Sequence, residues 1–287
     1  MKLSVFTVML PDLTPEEATQ ALQAAGYDGV EWRVTRVPEE RRGEPPSFWG
    51  NNRCTLAPTE AEARRARSLA EPAGLAIPNL GTYIAVGDLS ATEEAMRFAQ
   101  IAGTEQIRVG VGSSQGASYA ERFVAAQAFL TEVEPLALRY GIRALVEIHH
   151  RTICPSASLA HRLVSRFDPQ AVGVIYDPGN MVYEGFEDYG LGIELLGPYL
   201  AHVHLKNGAF TRPEGGGVWT AHWAPLEDGV VDFPQVLAAL RAAGYDGWLS
   251  MEDFSAARPS REALRHNLAF IRGAIARASD QSGGHDG

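Results

Sequence analysis

A single (β/α)₈ barrel is the fold this 287-residue sequence predicts. Strand-like and helix-like segments alternate from the first residues almost to the last, and they count as eight pairs. No shift in composition marks a second domain. A doubly wound sheet is the alternative arrangement, but no early Gly-rich phosphate loop follows the first strand.

The elements follow in order. Residues 3–10 form an apolar first strand. The run Thr14-Pro-Glu-Glu17 opens a helix with an N-cap, a proline at the first helical position and a glutamate three residues on. That helix ends at Gly26, and 28–34 is the second strand. A long connection over 35–58, rich in Pro, Arg and Glu, carries Phe48 and Trp49. Helix 59–74, strand 75–82, helix 91–103, strand 106–111 and the long helix 119–140 come next. The fifth strand is 143–149, and a helix over 156–167 follows it. The sixth strand, 172–176, is followed by a short helix over 188–196, and the seventh strand is 200–205. A loop from 207 to 231 holds Gly215-Gly-Gly217. Helix 233–243, strand 248–251 and helix 259–278 complete the barrel. The barrel domain is expected over 1–279, with a polar, Gly-rich and disordered tail over 280–287. The stretch Ala24-Ala-Gly-Tyr-Asp-Gly-Val30 returns as Ala242-Ala-Gly-Tyr-Asp-Gly-Trp248, and it reads as one helix-to-strand joint used twice, the glycine being a left-handed C-cap.

Composition narrows the function. Hydrophobic residues make up 45% of the chain, ordinary for a globular protein with a sizeable core. With 25 basic against 35 acidic side chains the net charge is −10, which argues against nucleic acid or an anionic membrane as partner. Two cysteines, Cys54 and Cys154, cannot make a disulfide framework and lie in no CxxC, so a cytoplasmic location is expected. The apolar start is too short for a membrane span, and it lacks a small-residue cleavage site.

The chemistry lies at the strand ends. Ala144-Leu-Val-Glu147 runs from apolar residues into a carboxylate and then into His149, His150 and Arg151. Burying an unpaired carboxylate costs several kcal/mol, so Glu147 needs a strong partner. Val174-Ile-Tyr-Asp177, Ala201-His-Val-His204 and Trp248-Leu-Ser-Met-Glu252 repeat the design. Catalytic groups of a barrel gather at the C-terminal ends of its strands, which places Glu147, Asp177, His204 and Glu252 at one mouth. Three carboxylates and an imidazole repel one another unless a cation holds them. Their oxygen-rich set suits Mn²⁺ or Mg²⁺, with Zn²⁺ or Co²⁺ as alternatives because of the histidine. His202 lies a layer deeper and reads as a hydrogen-bonded support for His204. His150 and Arg151 either reach the mouth or begin the next loop. Lys206 is placed to polarise a hydroxyl, Trp223 and Met181 to line a pocket, and Glu31, Asn79 and Arg108 to meet a polar substrate from the other half of the barrel. His161 and His266 fall in helices and read as surface residues.

Glu147, the Asp177-Pro-Gly-Asn180 turn, His202-Val-His204-Leu-Lys206 and Glu252-Asp-Phe254 resemble the sugar phosphate isomerase/epimerase superfamily. This is the xylose isomerase-like TIM barrel group of inosose dehydratase, hydroxypyruvate isomerase and ketose 3-epimerases. The resemblance covers nearly the whole chain. It implies one divalent metal held by Glu147, Asp177, His204 and Glu252, with Glu147 and Glu252 also serving as acid and base. Two departures stand out. Many members carry a histidine three residues after the metal aspartate, where this chain has Asn180. Ketose 3-epimerases place a second glutamate six residues after the first ligand, where this chain has Ile153.

The expected reaction is isomerisation or epimerisation of a sugar or related polyhydroxy carbonyl compound. A proton is taken from the carbon α to the carbonyl, and the enediolate is stabilised by the metal. Loss of a β-hydroxyl would make the same apparatus an inosose-type dehydratase. A non-catalytic metal- or sugar-binding barrel is the alternative outside enzymes, and the three-zinc DNA endonucleases of the superfamily would need more histidines and a basic face. The partner is a small sugar or polyol, with a homo-oligomer left open. Loops after barrel strands lie on the catalytic face, so the 35–58 connection is expected to reach over the mouth. There Trp49 either closes the pocket or anchors the loop on a helix.

Overall fold

The computed structural model describes residues 1–113 and 115–281. In chain order the elements are β1 (Lys2–Phe6), α1 (Pro15–Ala25), β2 (Gly29–Val34), β3 (Thr55–Leu56), α2 (Glu60–Ala70), β4 (Leu80–Thr82) and α3 (Leu89–Ala102). Then come β5 (Gln106–Val109), α4 (Tyr119–Tyr140), β6 (Arg143–Glu147), α5 (Ala157–Val164), β7 (Val172–Tyr176), α6 (Pro178–Tyr183) and α7 (Tyr189–Leu196). The chain finishes with β8 (Leu200–Leu205), β9 (Asn207–Thr211), β10 (Thr220–Ala224), α8 (Phe233–Ala242), β11 (Trp248–Met251) and α9 (Ser260–Gln281).

Eight parallel strands close on themselves in the order β1, β11, β8, β7, β6, β5, β4, β2, with β2 pairing back to β1. The fold is therefore the single (β/α)₈ barrel the alternation predicts. Strand alternation sorts the residues. Leu3, Val5, Val30, Trp32, Val203 and Leu205 are buried in the main apolar core. Their alternates Ser4, Glu31, Arg33, His202 and His204 are buried too, and they form the inward row. Ser4 lies opposite Ser250, and Ser250 opposite His204, so the row is continuous across β1, β11 and β8. Each outward aliphatic side chain contributes about 1.5–3 kcal/mol by burial, enough to hold polar groups in the barrel interior.

Local signals work as the residues dictate. Thr14 and Glu17 make a reciprocal capping box at α1, as Ser118 and Glu121 do at α4. Gly26 and Gly244 of the repeated joint adopt φ of 92° and 73°, the left-handed cap. The joint's aspartates take up chain ends: Asp28 accepts from Leu3 N, and Asp246 pairs with the N-terminal ammonium.

Three expectations are corrected. Residues 207–231 are not a plain loop, because β9 and β10 pair as an antiparallel hairpin, with Gly215-Gly-Gly217 in its turn. Asp177-Pro-Gly-Asn180 is not a free turn but the start of α6, with Asp177 as N-cap and Pro178 at the first position, where its missing N–H costs nothing. The third barrel strand is only Leu80–Thr82, residue 76 making a lone bridge to Gly29. α9 runs to Gln281, so residues 280 and 281 of the tail expected over 280–287 are helical, and 282–287 lie outside the described residues.

Candidate active site

Glu147 is the last residue of β6, Asp177 directly follows β7, His204 is in the inward row of β8, and Glu252 directly follows β11. One ligand-type atom from each lies within 4.8 Å of all the others, and all four side chains are buried. His204 Nδ1 is 3.1 Å from Glu147 Oε1, 3.7 Å from Glu252 Oε2 and 3.8 Å from Asp177 Oδ2. Asp177 is held by its own helix: Oδ1 accepts from Asn180 N, and Oδ2 from Asn180 Nδ2, each at 2.8 Å.

Two permanent cations serve this cluster. Arg108 donates to Glu147 Oε2 at 2.5 Å, and its guanidinium lies 4.6 Å from the centre of the Tyr83 ring. Lys206 Nζ lies 2.8 Å from Asp177 Oδ2 and also donates to Glu252. Beneath them Glu31 accepts from Asn79, His202 and His204.

These contacts set the protonation states. Burial alone would raise Glu147, but Arg108 and His204 outweigh it and hold the carboxyl well below the usual range. Glu31 is likewise held low, burial being outweighed by His204 and His202. Glu252 goes the other way: burial, helped by Glu147 and Asp177, pushes it up to about 7 against the pull of Lys206 and His204. Burial lowers His149 and His150 below the usual imidazole range.

The donor set fits a divalent cation. Counted as ionised, the four buried carboxylates Glu31, Glu147, Asp177 and Glu252 exceed the two permanent cations Arg108 and Lys206 by two charges. A divalent ion would balance that excess. Without one it falls to protons on His204, which Glu31 and Glu252 raise against burial, and on Glu252. The unshared nitrogen of His204 faces oxygens that themselves only accept, a contact that calls for a proton or a metal ion between them.

Above the cluster opens a cavity of about 600 Å³, lined among others by Glu147, Glu252, Arg108, Lys206, Tyr183 and Trp223. Trp49, His150 and Arg151 also border it. Arg151 has φ 58°, rare for a side chain other than glycine, and its N–H is held by Glu184 Oε2 at 2.8 Å. Glu31, Asn79, His202 and Asn180 are fully buried and do not border the cavity. For Glu31 and Asn79 this corrects the expectation that they meet a substrate. Asn180 ties Asp177 to His150, whose Nδ1 lies 2.8 Å from Asn180 Oδ1. Met181 is in the apolar core, away from the pocket that Trp223 does line. His161 and His266 are half-buried: His161 lies edge-on to Tyr199, and His266 is 2.7 Å from Glu227.

The 35–58 connection does reach the mouth. Phe48 and Trp49 pack on Phe254 at ring separations of 5.1 and 4.8 Å, and Phe254 meets Trp223 of the hairpin at 5.8 Å. Asn52 fastens the loop by donating to Val8 O at 2.8 Å. Trp49 thus rests on the residue two positions after Glu252, where an anchor on a helix was the other expectation. Tyr83 and Tyr183 also line the cavity, and no motif in the sequence singles them out. Tyr183 lies six residues after Asp177 on α6, a helix the sequence does not announce because it is so short.

Residues 19–274 match the family model described as xylose isomerase-like TIM barrel. The chain belongs to that family. An inosose dehydratase from Geobacillus thermodenitrificans (strain NG80-2) is 31% identical over 155 residues, covering 47% of this chain and 49% of that protein. The chain spans about half the length of the curated relatives it matches. Among solved structures, an L-ribulose 3-epimerase superimposes with a TM-score of 0.76 at 15% identity, covering 100% of this chain and 98% of that one. IolI protein with a bound zinc atom superimposes at 0.75 and 15%, covering 97% and 99%. At such identities the structural likeness speaks for the fold of the family. Among the described residues no helix is long and apolar enough to cross a membrane.

Proposed function

We propose that the chain is a divalent-metal-dependent enzyme acting on a polyhydroxy carbonyl compound by moving a proton at the carbon next to the carbonyl. The convergence of Glu147, Asp177, His204 and Glu252 beneath one cavity carries this reading. A divalent ion held by these four, Mn²⁺ or Mg²⁺ with Zn²⁺ or Co²⁺ as alternatives, would supply Lewis acidity to the substrate's carbonyl.

The remaining work belongs to side chains. Glu147, kept ionised by Arg108, takes the α proton. Glu252 follows β11, which β8 and β7 separate from β6, and beside Lys206 it returns a proton to carbon or hydroxyl. Lys206 steadies Asp177 and Glu252 while charge builds on the substrate oxygen. Phe254, Trp223 and Trp49 wall the cavity with apolar surface, which keeps water from the carbanionic carbon and offers faces to the C–H side of a sugar ring.

Proton return to the opposite face epimerises, return to the neighbouring carbon isomerises, and loss of a β-hydroxyl dehydrates. The similarity to inosose dehydratases favours the last as the second reading, with a cyclic polyol ketone as substrate. Incubation of ketoses and inososes in D₂O with each metal tests the common step. Glu147→Gln and Glu252→Gln should slow deuterium uptake at the α carbon by at least about two orders of magnitude, the yield of a placed acid or base. Unchanged uptake in either variant would remove that residue from proton transfer. Water release from an inosose would choose the dehydratase.

A further inference from the structure

Glu31 lies at the centre of a network that proton transfer at the substrate does not use. It is fully buried in the inward row of β2, and its carboxylate meets three nitrogens. Asn79 Nδ2 donates at 2.8 Å, His202 Nε2 lies at 3.0 Å, and His204 Nε2 lies at 3.1 and 3.3 Å from the two oxygens. An ionised carboxylate only accepts, so each imidazole must bring an N–H at Nε2. For His204 that choice leaves Nδ1 to face Glu147, Asp177 and Glu252. For His202 it leaves Nδ1 buried, without a hydrogen-bond partner among the described residues and outside the four-group cluster. Phe6 stacks on His204 at 5.7 Å and 27°, which fixes the plane of the ring whose tautomer Glu31 sets.

We infer that Glu31 is the positioning residue of this centre: it commits His204 to offering Nδ1 to the divalent ion, and it keeps His202 from competing as a ligand. The inference rests on the metal reading proposed above. A different use of the same atoms can be weighed against it, since Glu31, His202 and His204 also form a three-group cluster close enough to hold an ion of their own. All three are sealed from solvent, and Asn79 fills the next position on Glu31 with an N–H donor, which a metal could not use. Hydrogen bonding therefore accounts for this layer without a second ion, as a carboxylate behind a ligating histidine does at other metal centres.

Two measurements on the full chain test this. With ¹⁵N-labelled histidine and no metal, the wild type should show slowly exchanging imidazole protons on Nε2 of both His202 and His204. A proton on Nδ1 but not Nε2 of His204 would overturn the inference whether or not any variant folds. Mn²⁺ titration followed by the EPR signal of the free ion should then give one site per chain. Glu31→Gln should weaken that site by about ten- to a hundred-fold, the usual effect of losing such a partner. Glu31→Asp should restore part of the loss, and the melting temperature of metal-free Glu31→Gln should stay close to wild type. A folded Glu31→Gln with wild-type Mn²⁺ affinity would overturn the inference and leave the metal reading standing. Two ions per chain, one of them lost in Glu31→Gln, would overturn it in favour of a second metal site. A wild-type chain that takes up no ion would sink the metal reading, and this inference with it.

Discussion

Lys206 and Asp177 form a buried ion pair of 2.8 Å, and the same ammonium also donates to Glu252. The lysine is 1% exposed, with Trp223 and Phe254 over its Nζ at 5.1 and 5.2 Å. Burial on its own would strip the proton, but Asp177 and Glu252 outweigh it and raise the group above an ordinary lysine. The ammonium thus stands in for part of the positive charge the carboxylates need. Lys206→Met should destabilise the metal-free protein by about 3–5 kcal/mol, the cost of leaving buried charges unpaired. Saturating Mn²⁺ should recover more stability in the variant than it adds to wild type. Thermal melts with and without metal check this, and an equal Mn²⁺ effect in both proteins would contradict it.

Trp49 should matter to substrate more than to folding. The residue is 52% exposed, yet it borders the cavity and its ring lies on Phe254. Trp49→Ala should raise KM and lower kcat/KM while the melting temperature falls only slightly. Phe254→Ala should lower the melting temperature markedly, because Phe254 is buried with Phe6 and Val8 and large-to-small changes of this kind cost about 3–5 kcal/mol. A large stability loss in Trp49→Ala with unchanged kcat/KM would make the tryptophan a structural prop.

Both cysteines should be inert in the native state. Burial pushes the Cys154 thiol up to about 12 and raises Cys54 as well. With the folded pKa above that of a free thiol, the stabilisation from burying each neutral thiol is complete below about 9 and is lost as pH rises beyond it. At pH 8 a thiol reagent should label neither cysteine until denaturant is added. Rapid labelling of the folded chain would show that burial does not protect them.

The barrel was legible because its signals are local and repeated: period-two strands, capped helices and glycine C-caps recur in step with the chain. The ends of β6, β7, β8 and β11 were legible for the same reason, since a carboxylate or imidazole closing an apolar strand conflicts with burial unless something pairs with it. For Glu31 and Asn79 strand parity says only that they point inward, not how deep they sit, and so points them at substrate. Depth comes from the register between strands far apart in sequence, and only the closed sheet shows that Glu31 lies under His204. The hairpin of β9 and β10 is hard to read because Asn207-Gly-Ala-Phe-Thr211 lacks apolar–polar alternation and ends exposed, and β10 is at most half-buried before Ala224. Arg108 lines the cavity, as a residue expected to meet a polar substrate should, but its pairing with Glu147 spans 39 residues and is not legible from either strand.

The most direct measurement is anomalous scattering from crystals of the chain soaked in Mn²⁺. The account predicts one peak per chain, bounded by Glu147, Asp177, His204 Nδ1 and Glu252 at about 2.0–2.6 Å, the range for oxygen and nitrogen ligands of such ions. Its loss in His204→Ala, with the barrel otherwise unchanged, should follow. No peak at millimolar Mn²⁺, or a peak held by other residues while these four keep to hydrogen bonds and ion pairs, would contradict it.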